Sequence, residues 1–207
     1  SIQDPKPRVI TAPCFRERVL HHAIMNVCEP YFERWQVDQS FACRVGKGRV
    51  EALKFAARQS RRHRFFLKMD IRQFFGSIPH QPLIDRLQRR FKDLRLLGLF
   101  KQIIGAFETS PRVGLPIGSL TSQHLANFYL GAWDQQLQER LGCQAMARYM
   151  DDCILWGRSS GDLCRIAEQS ARWLGRELGL TLKPWTLQRT ALGLPFLGFV
   201  LRPEKTA

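Results

Sequence analysis

Apolar positions along this chain alternate between short extended bursts and longer stretches at helical spacing. Lys6-Pro7-Arg8-Val9-Ile10 alternates basic and apolar residues, which suits a strand. From Phe15 to Phe32, the residues Phe15, Val19, Ala23, Val27 and Phe32 recur near helical spacing, with Leu20 and Ile24 beside them. Pro30 cannot sit deep in one helix without losing a hydrogen bond, so it predicts a break or a new first turn. Residues 49 to 61 read as a second helix, and Phe65 to Asp70 as an apolar strand ending in one aspartate. A turn carrying Phe74 and Phe75 follows. Ser77-Ile78-Pro79 opens a helix with Leu83, Ile84, Leu87 and Phe91 at helical spacing, and 94 to 107 continues helical. Gly114 to Ser119 is a turn-rich loop feeding a long helix over 119–141, with Leu120, Phe128, Trp133 and Leu137 as its apolar stripe.

The second half opens on a hairpin pattern. Arg148-Tyr149 and Ile154-Leu155-Trp156 are two strand-like runs, bounded outside by Gly142 and Gly157 and separated by Met150-Asp151-Asp152-Cys153. Asp162 is placed to cap a helix carrying Leu163, Ile166, Trp173, Leu174 and Leu178, which Gly179 stops. Leu180-Thr181-Leu182-Lys183 then reads as a strand, and Pro195 to Val200 as another. Helices and strands mixed in this order predict an α+β fold.

Charge narrows the possible partners. Thirty-two Lys and Arg against 18 Asp and Glu leave a net charge of +14, which implies an anionic partner with nucleic acid as first candidate. A membrane is the competitor, but no apolar run approaches the roughly 18 residues of a spanning helix. The first residues show no signal peptide. The six cysteines are scattered without any Cys-x-x-Cys pair, which argues against a zinc site and a secreted disulfide framework. Thiols in a reducing cytoplasm are the expectation. His21 and His22 read as a helix-face pair with a structural role, since further ligands are missing around them.

Candidate chemistry lies in the carboxylates. Two adjacent aspartates at a hairpin tip repel each other, and divalent cations with a preference for hard oxygen ligands would remove that cost. A solvated acidic turn would explain Asp151-Asp152 alone. Asp70 is the third carboxylate, in a second strand-end context 81 residues upstream (151 − 70), so only folding can bring the three together. Ser40 to Arg49 adds a glycine-spaced basic turn that lets backbone and cations approach phosphates; an ordinary basic surface loop is the alternative. Arg58, Arg61, Arg62 and Arg64 end the second helix as a candidate backbone-tracking cluster.

Asp70 with Phe74 and Phe75, together with the distant Tyr149-Met150-Asp151-Asp152, resembles the reverse transcriptase family. The resemblance runs from Arg8 to Phe199 and implies a right-hand polymerase palm, with a ferredoxin-like antiparallel sheet, plus part of the fingers and no thumb. It implies fingers over 1–64 and palm over 65–207, with a fingers-derived helical insertion about 80–112. Asp70, Asp151 and Asp152 are then the catalytic carboxylates. With Ile71 they are the expected ligands of two Mg²⁺ ions, Mn²⁺ being an alternative, held about 3.5–4 Å apart for phosphoryl transfer. Arg8, Arg44, Lys47, Phe75 and Gln123 are the expected deoxynucleotide contacts, and Phe75 the aromatic wall that excludes a 2′-hydroxyl. Phe196, Leu197 and Gly198 resemble the primer grip. The family's lysine downstream of the Asp-Asp pair falls near Trp185 or Thr186, and Lys183 stands two or three positions before it.

Most bacterial members carry a Gln-Gly and a Ser-Pro pair in the loop before the long helix. This chain has Ile117-Gly118 and Ser122-Gln123 there, which resembles the diversity-generating retroelement enzymes, error-prone opposite adenine. Ile117, Gly118, Ser122 and Gln123 are therefore the expected template and fidelity positions. The resemblance implies an RNA template, a DNA primer or cDNA, deoxynucleotides and a small basic accessory protein as partners, and no membrane. Ending just past the primer-grip-like strand, the chain reads as a fragment or minimal form of a longer enzyme. Two other readings stay open: a group II intron- or retron-type reverse transcriptase, and a catalytically silent nucleic-acid-binding palm.

Overall fold

Four short strands form one antiparallel sheet at the centre of the computed structural model, which describes residues 10–143 and 145–203. They are β1 (Phe65–Asp70), β2 (Met146–Tyr149), β3 (Asp152–Gly157) and β4 (Thr186–Arg189), in spatial order β2-β3-β1-β4. This is the ferredoxin-like order, built on the expected β2–β3 hairpin. Period-two alternation gives each strand two faces. Leu67 and Met69 of β1 and Cys153 and Leu155 of β3 enter the main core, while Phe66, Ile154 and Trp156 enter a smaller one behind the sheet.

Among the described residues, seven α-helices surround the sheet. They are α1 (Phe15–Trp35), α2 (Arg49–Arg62), α3 (Phe74–Ser77), α4 (His80–Arg90), α5 (Leu94–Gly105), α6 (Leu120–Gln135) and α7 (Ser160–Trp173). α2 and the hairpin of β5 (Leu194–Phe196) with β6 (Phe199–Leu201) close the smaller core, through Ala52, Ala56, Leu194 and Phe196. α6 is buried on every side rather than along one stripe: only Leu120, Gln123 and Gln135 escape. Its crossing with α1 is close, because a Cβ on Gly131 would meet the Trp35 ring at 2.5 Å. Helical bonding continues past α6 as a π segment over Gln136–Arg140, and past α7 over Leu174–Leu178. Gly179, at φ +63°, then ends that helix as expected.

Several expectations are corrected. α1 runs unbroken through Pro30, with Cys28 and Phe32 buried on both sides of it, so packing outweighs the lost hydrogen bond. Most of the stripe read on α1 is on its outer side: Phe15, Val19, Leu20 and Val27 are exposed, whereas only Phe32 of that stripe and Ile24 beside it join His21, Met25 and Cys28 in facing the core. Both sides of this helix are apolar, so spacing alone could not choose between them. α7 is capped by Ser159, whose Oγ accepts the Asp162 N–H, and not by Asp162. Leu180 to Lys183 forms one bridge, Leu182 to Ile71, and the fourth strand lies at 186–189 instead. Pro195 to Val200 is not one strand. Leu197 and Gly198, at φ +49° and +82°, turn the chain back to make β5 and β6. The strand expected at 6–10, and with it Arg8, falls outside the described residues except for Ile10, which is not in a strand.

Candidate active site

Antiparallel register brings the first two carboxylates together. β1 and β3 pair so that Asp70 stands directly opposite Asp152. β2 and β3 are joined by Met150-Asp151 alone, which puts Asp151 in the turn itself. Met150 takes φ +55°, a left-handed conformation unfavourable for a side-chain-bearing residue. The distance of 81 residues in sequence is thus reduced to neighbouring strand ends by a ladder that apolar residues fix from both sheet faces.

Like charges directly opposite each other across a sheet are destabilising. Two lysines offset that repulsion. Lys68, two positions before Asp70 on the same face of β1, places its Nζ 2.9 Å from Asp152 Oδ2 and donates to the Pro195 carbonyl at 3.1 Å. Lys183 places its Nζ 2.7 Å from Asp70 Oδ1, and its backbone N–H donates to the Asp70 carbonyl at 2.8 Å. The Leu182–Ile71 bridge is what delivers Lys183 there. Burial pushes the Asp152 carboxyl up to about 6; Lys68 opposes the rise, and Asp70 and Asp151 add to it.

Asp152 Oδ1 is buried without a hydrogen-bond partner. A buried carboxylate oxygen in that condition, among further carboxylates, fits a hard divalent cation. No group of three or more His, Cys, Asp or Glu among the described residues is drawn together tightly enough to hold a metal ion. Asp70 and Asp152 are turned toward their lysines.

Other expected residues divide by placement. Arg44 faces inward: its Nε donates to Glu33 at 3.0 Å and its Nη1 to the carbonyls of Val37 and Ser40, with 8% of the side chain exposed. Lys47 pairs with Asp38 at 3.1 Å and lies over the Phe41 ring. Ile71 is fully buried. Phe74 is a core residue, while Phe75 is half-buried with its ring 5.3 Å from that of Phe74. Both stand on the short α3, which forms where a turn was expected.

Ile117 is half-buried and its carbonyl accepts the Thr11 N–H at 2.8 Å. At Gly118 a Cβ would meet Ile10 at 2.8 Å, and its φ of +112° suits glycine. The Ser122 Oγ is buried without a partner. Gln123 lies inside α6, where its N–H donates to the Ser119 carbonyl. A residue with an N–H therefore closes the first turn of α6. Its Oε1 accepts from Cys43 Sγ at 3.5 Å, which joins α6 to the basic loop. His21 has the structural role expected, with Nδ1 3.0 Å from Ser119 Oγ. Phe196 is buried, and Leu197 and Gly198 form the β5–β6 turn, tied to α2 by Arg49 donating to the Leu197 carbonyl.

Sequence reasoning missed Lys68, whose even spacing from Asp70 on a strand was the available signal. It also missed Arg148 and Asp134, wholly buried in an ion pair of 2.6 Å. An Arg within a strand and an Asp inside a helix carry no mark of each other in sequence.

An antiparallel sheet with carboxylates at adjoining strand ends, most helices on one face, and one helix with a hairpin on the other, is the architecture of a nucleic-acid polymerase palm. The sequence profile of the family "Reverse transcriptase (RNA-dependent DNA polymerase)" matches residues 3–201, and the chain belongs to that family. It is 27% identical over 171 residues to protein YkfC of Escherichia coli K12, covering 75% of this chain and 44% of that protein. It is 28% identical over 136 residues to the group II intron-encoded protein LtrA of Lactococcus lactis subsp. cremoris, covering 63% of this chain and 23% of LtrA. Among solved structures, apo telomerase from Candida tropicalis truncated from its C-terminal domain superposes with TM-score 0.68 at 10% identity, over 91% of this chain and 45% of that one. Telomerase from Candida albicans with a telomeric RNA fragment gives 0.58 at 11% identity, over 90% and 36%. At such identities the likeness concerns the fold, which is that of the reverse transcriptase palm and fingers. The chain spans less than half the length of these relatives.

Proposed function

We propose that the chain is the fingers and palm of an RNA-directed DNA polymerase, with residues 1–64 as fingers, 65–207 as palm and a helical insertion about 80–112. The observation that carries the reading is the Asp70–Asp152 register with Asp151 in the adjoining turn. Asp70, Asp151 and Asp152, with the Ile71 carbonyl, would hold two Mg²⁺ ions, which supply activation of the primer 3′-hydroxyl and neutralisation of the triphosphate. Lys68 and Lys183 hold the carboxylates apart before substrate arrives and keep the site near charge balance. Phe75 bounds the sugar pocket, and Lys47 with the exposed arginines of α2 attracts phosphates. Arg44 supports its loop from inside through Glu33, so its role is to shape that loop.

The finer assignment is to a diversity-generating retroelement, with an RNA template, a DNA primer or cDNA, deoxynucleotides and a small basic accessory protein as partners. Ile117 and Gln123 support it. A group II intron-type enzyme is the second reading, favoured by the likeness to LtrA. Primer extension on an RNA template, with and without Mg²⁺, tests the common part. Metal-dependent extension by the parent and its loss in a folded Asp151→Asn protein are expected. Extension by Asp151→Asn at the parent's rate would remove the carboxylates from the chemistry. An error spectrum concentrated opposite template adenine favours the retroelement, and an even spectrum the intron enzyme.

A further inference from the structure

Arg148 is fully buried, and every N–H of its guanidinium has an acceptor. Nε and Nη2 donate to the two oxygens of Asp134 on α6 at 2.6 Å each. Nη2 also reaches Ser40 Oγ at 3.0 Å and Gln36 Oε1 at 3.2 Å, both in the segment that follows α1. Nη1 donates to Asn127 Oδ1 at 2.7 Å and to the Met150 carbonyl at 3.0 Å. Asn127 in turn donates from Nδ2 to the Ala42 carbonyl at 2.8 Å. The Arg148 backbone pairs with the same segment, its N–H donating to Gln39 and its carbonyl accepting from Phe41, both at 2.9 Å.

A buried ion pair is a poor device for stability alone, since apolar residues of similar volume often serve as well or better. What they could not do is hold three carbonyl or amide acceptors in separate segments. One of these is the carbonyl of Met150, the strained residue next to Asp151. Asn127 supplies the second from α6, and Gln36 the third, in the stretch that with Ser40 leads into the basic loop of Arg44 and Lys47. We propose that Arg148 is a positioning residue that couples the carboxylate turn to the basic loop, and that its pairing with Asp134 serves this coupling rather than folding. The proposal rests on the polymerase reading only for the tasks of the two segments it joins.

The test is the double substitution Arg148→Met with Asp134→Leu, which replaces the pair by apolar side chains. Thermal unfolding, amide hydrogen exchange and single-nucleotide extension are read on parent and variant. The variant is expected to unfold cooperatively near the parent's temperature. Its amides at 149–152 and 40–43 should exchange at least about tenfold faster, with β1 and α6 unchanged. Turnover should fall about 100-fold, the scale of a misplacement near 1 Å, and KM for the nucleotide should rise. A smaller folded fraction would lower turnover without moving KM, which separates positioning from a structural role. Parent-like exchange in both segments overturns the proposal, as does parent-like turnover. If the parent extends no primer, the polymerase reading fails, and the exchange comparison still decides the coupling. Should the double variant not fold, Arg148→Lys keeps a charge beside Asp134 but cannot span to Met150 and Asn127; the same exchange criteria then decide.

Discussion

Asp152 carries two burdens at the residue scale. It is a carboxylate with one oxygen on Lys68 and the other buried without a partner. Because burial raises it to about 6, above the ordinary 3.8, the folded protein binds that proton more tightly than the unfolded chain. Its contribution to stability is therefore complete below about pH 4 and lost as pH rises through about 6. In metal-free protein, Asp152→Asn should abolish this loss. Urea unfolding in chelator should show the variant more stable than the parent at pH 8, by on the order of 1–3 kcal/mol, and no such gain at pH 4. A gain of equal size at both pH values would mean that ionisation is not the cause. Phe75 offers a second test. Half-buried beside the core residue Phe74, it has a surface left for a substrate. Phe75→Ala should raise ribonucleotide relative to deoxyribonucleotide incorporation. Unchanged discrimination, with lowered stability, would make it a core residue like its neighbour.

The start of α6 is decided at the scale of the element. It is fixed on one side by the Ile117 carbonyl on Thr11, and on the other by Gln123 on Cys43 of the basic loop. A nucleotide seated between the loop and this helix would be enclosed by contacts that these residues set. Ile117 has no side-chain hydrogen bond to offer, and a mismatch is rejected only through the contacts it disturbs. Ile117→Gln should lower errors opposite template adenine by up to about tenfold, the effect of ~1.4 kcal/mol of added discrimination. Sequencing cDNA made by parent and variant on one template measures it, and identical adenine error rates would sink the mechanism. Gln123→Pro should add little and cost stability, because it removes the first hydrogen bond of a buried helix.

Over the whole molecule, the excess of +14 is the property that acts at a distance. Arg58, Arg61, Arg62 and Arg64 are all exposed, on and beyond the end of α2. Affinity for an RNA/DNA hybrid should fall steeply with salt, at roughly 0.7–0.9 log units per log unit of salt for each phosphate neutralised. Replacing the four arginines with glutamine should flatten that slope. A salt-independent affinity would exclude a phosphate-tracking surface.

Sequence by itself determined the local and the additive properties. Strand-end aspartates, a hairpin with Asp-Asp at its tip, the helices over 49–62, 80–90 and 94–105 and the basic charge were all legible. Each depends on neighbours within a few positions or on a sum over the chain. The family was legible too, because its motifs are short. Tertiary structure alone decided which face of α1 enters the core, since both are apolar, and that helix's passage through Pro30, since packing outweighs one hydrogen bond. It moved the fourth strand to 186–189 and turned Arg44 inward to Glu33. It also brought Lys68 and Lys183 to Asp152 and Asp70, and closed Arg148 over Asp134, Asn127 and Met150. Such pairings join residues up to 113 positions apart. A buried charge must find its partner wherever the folded chain supplies one, and linear spacing holds no record of that meeting.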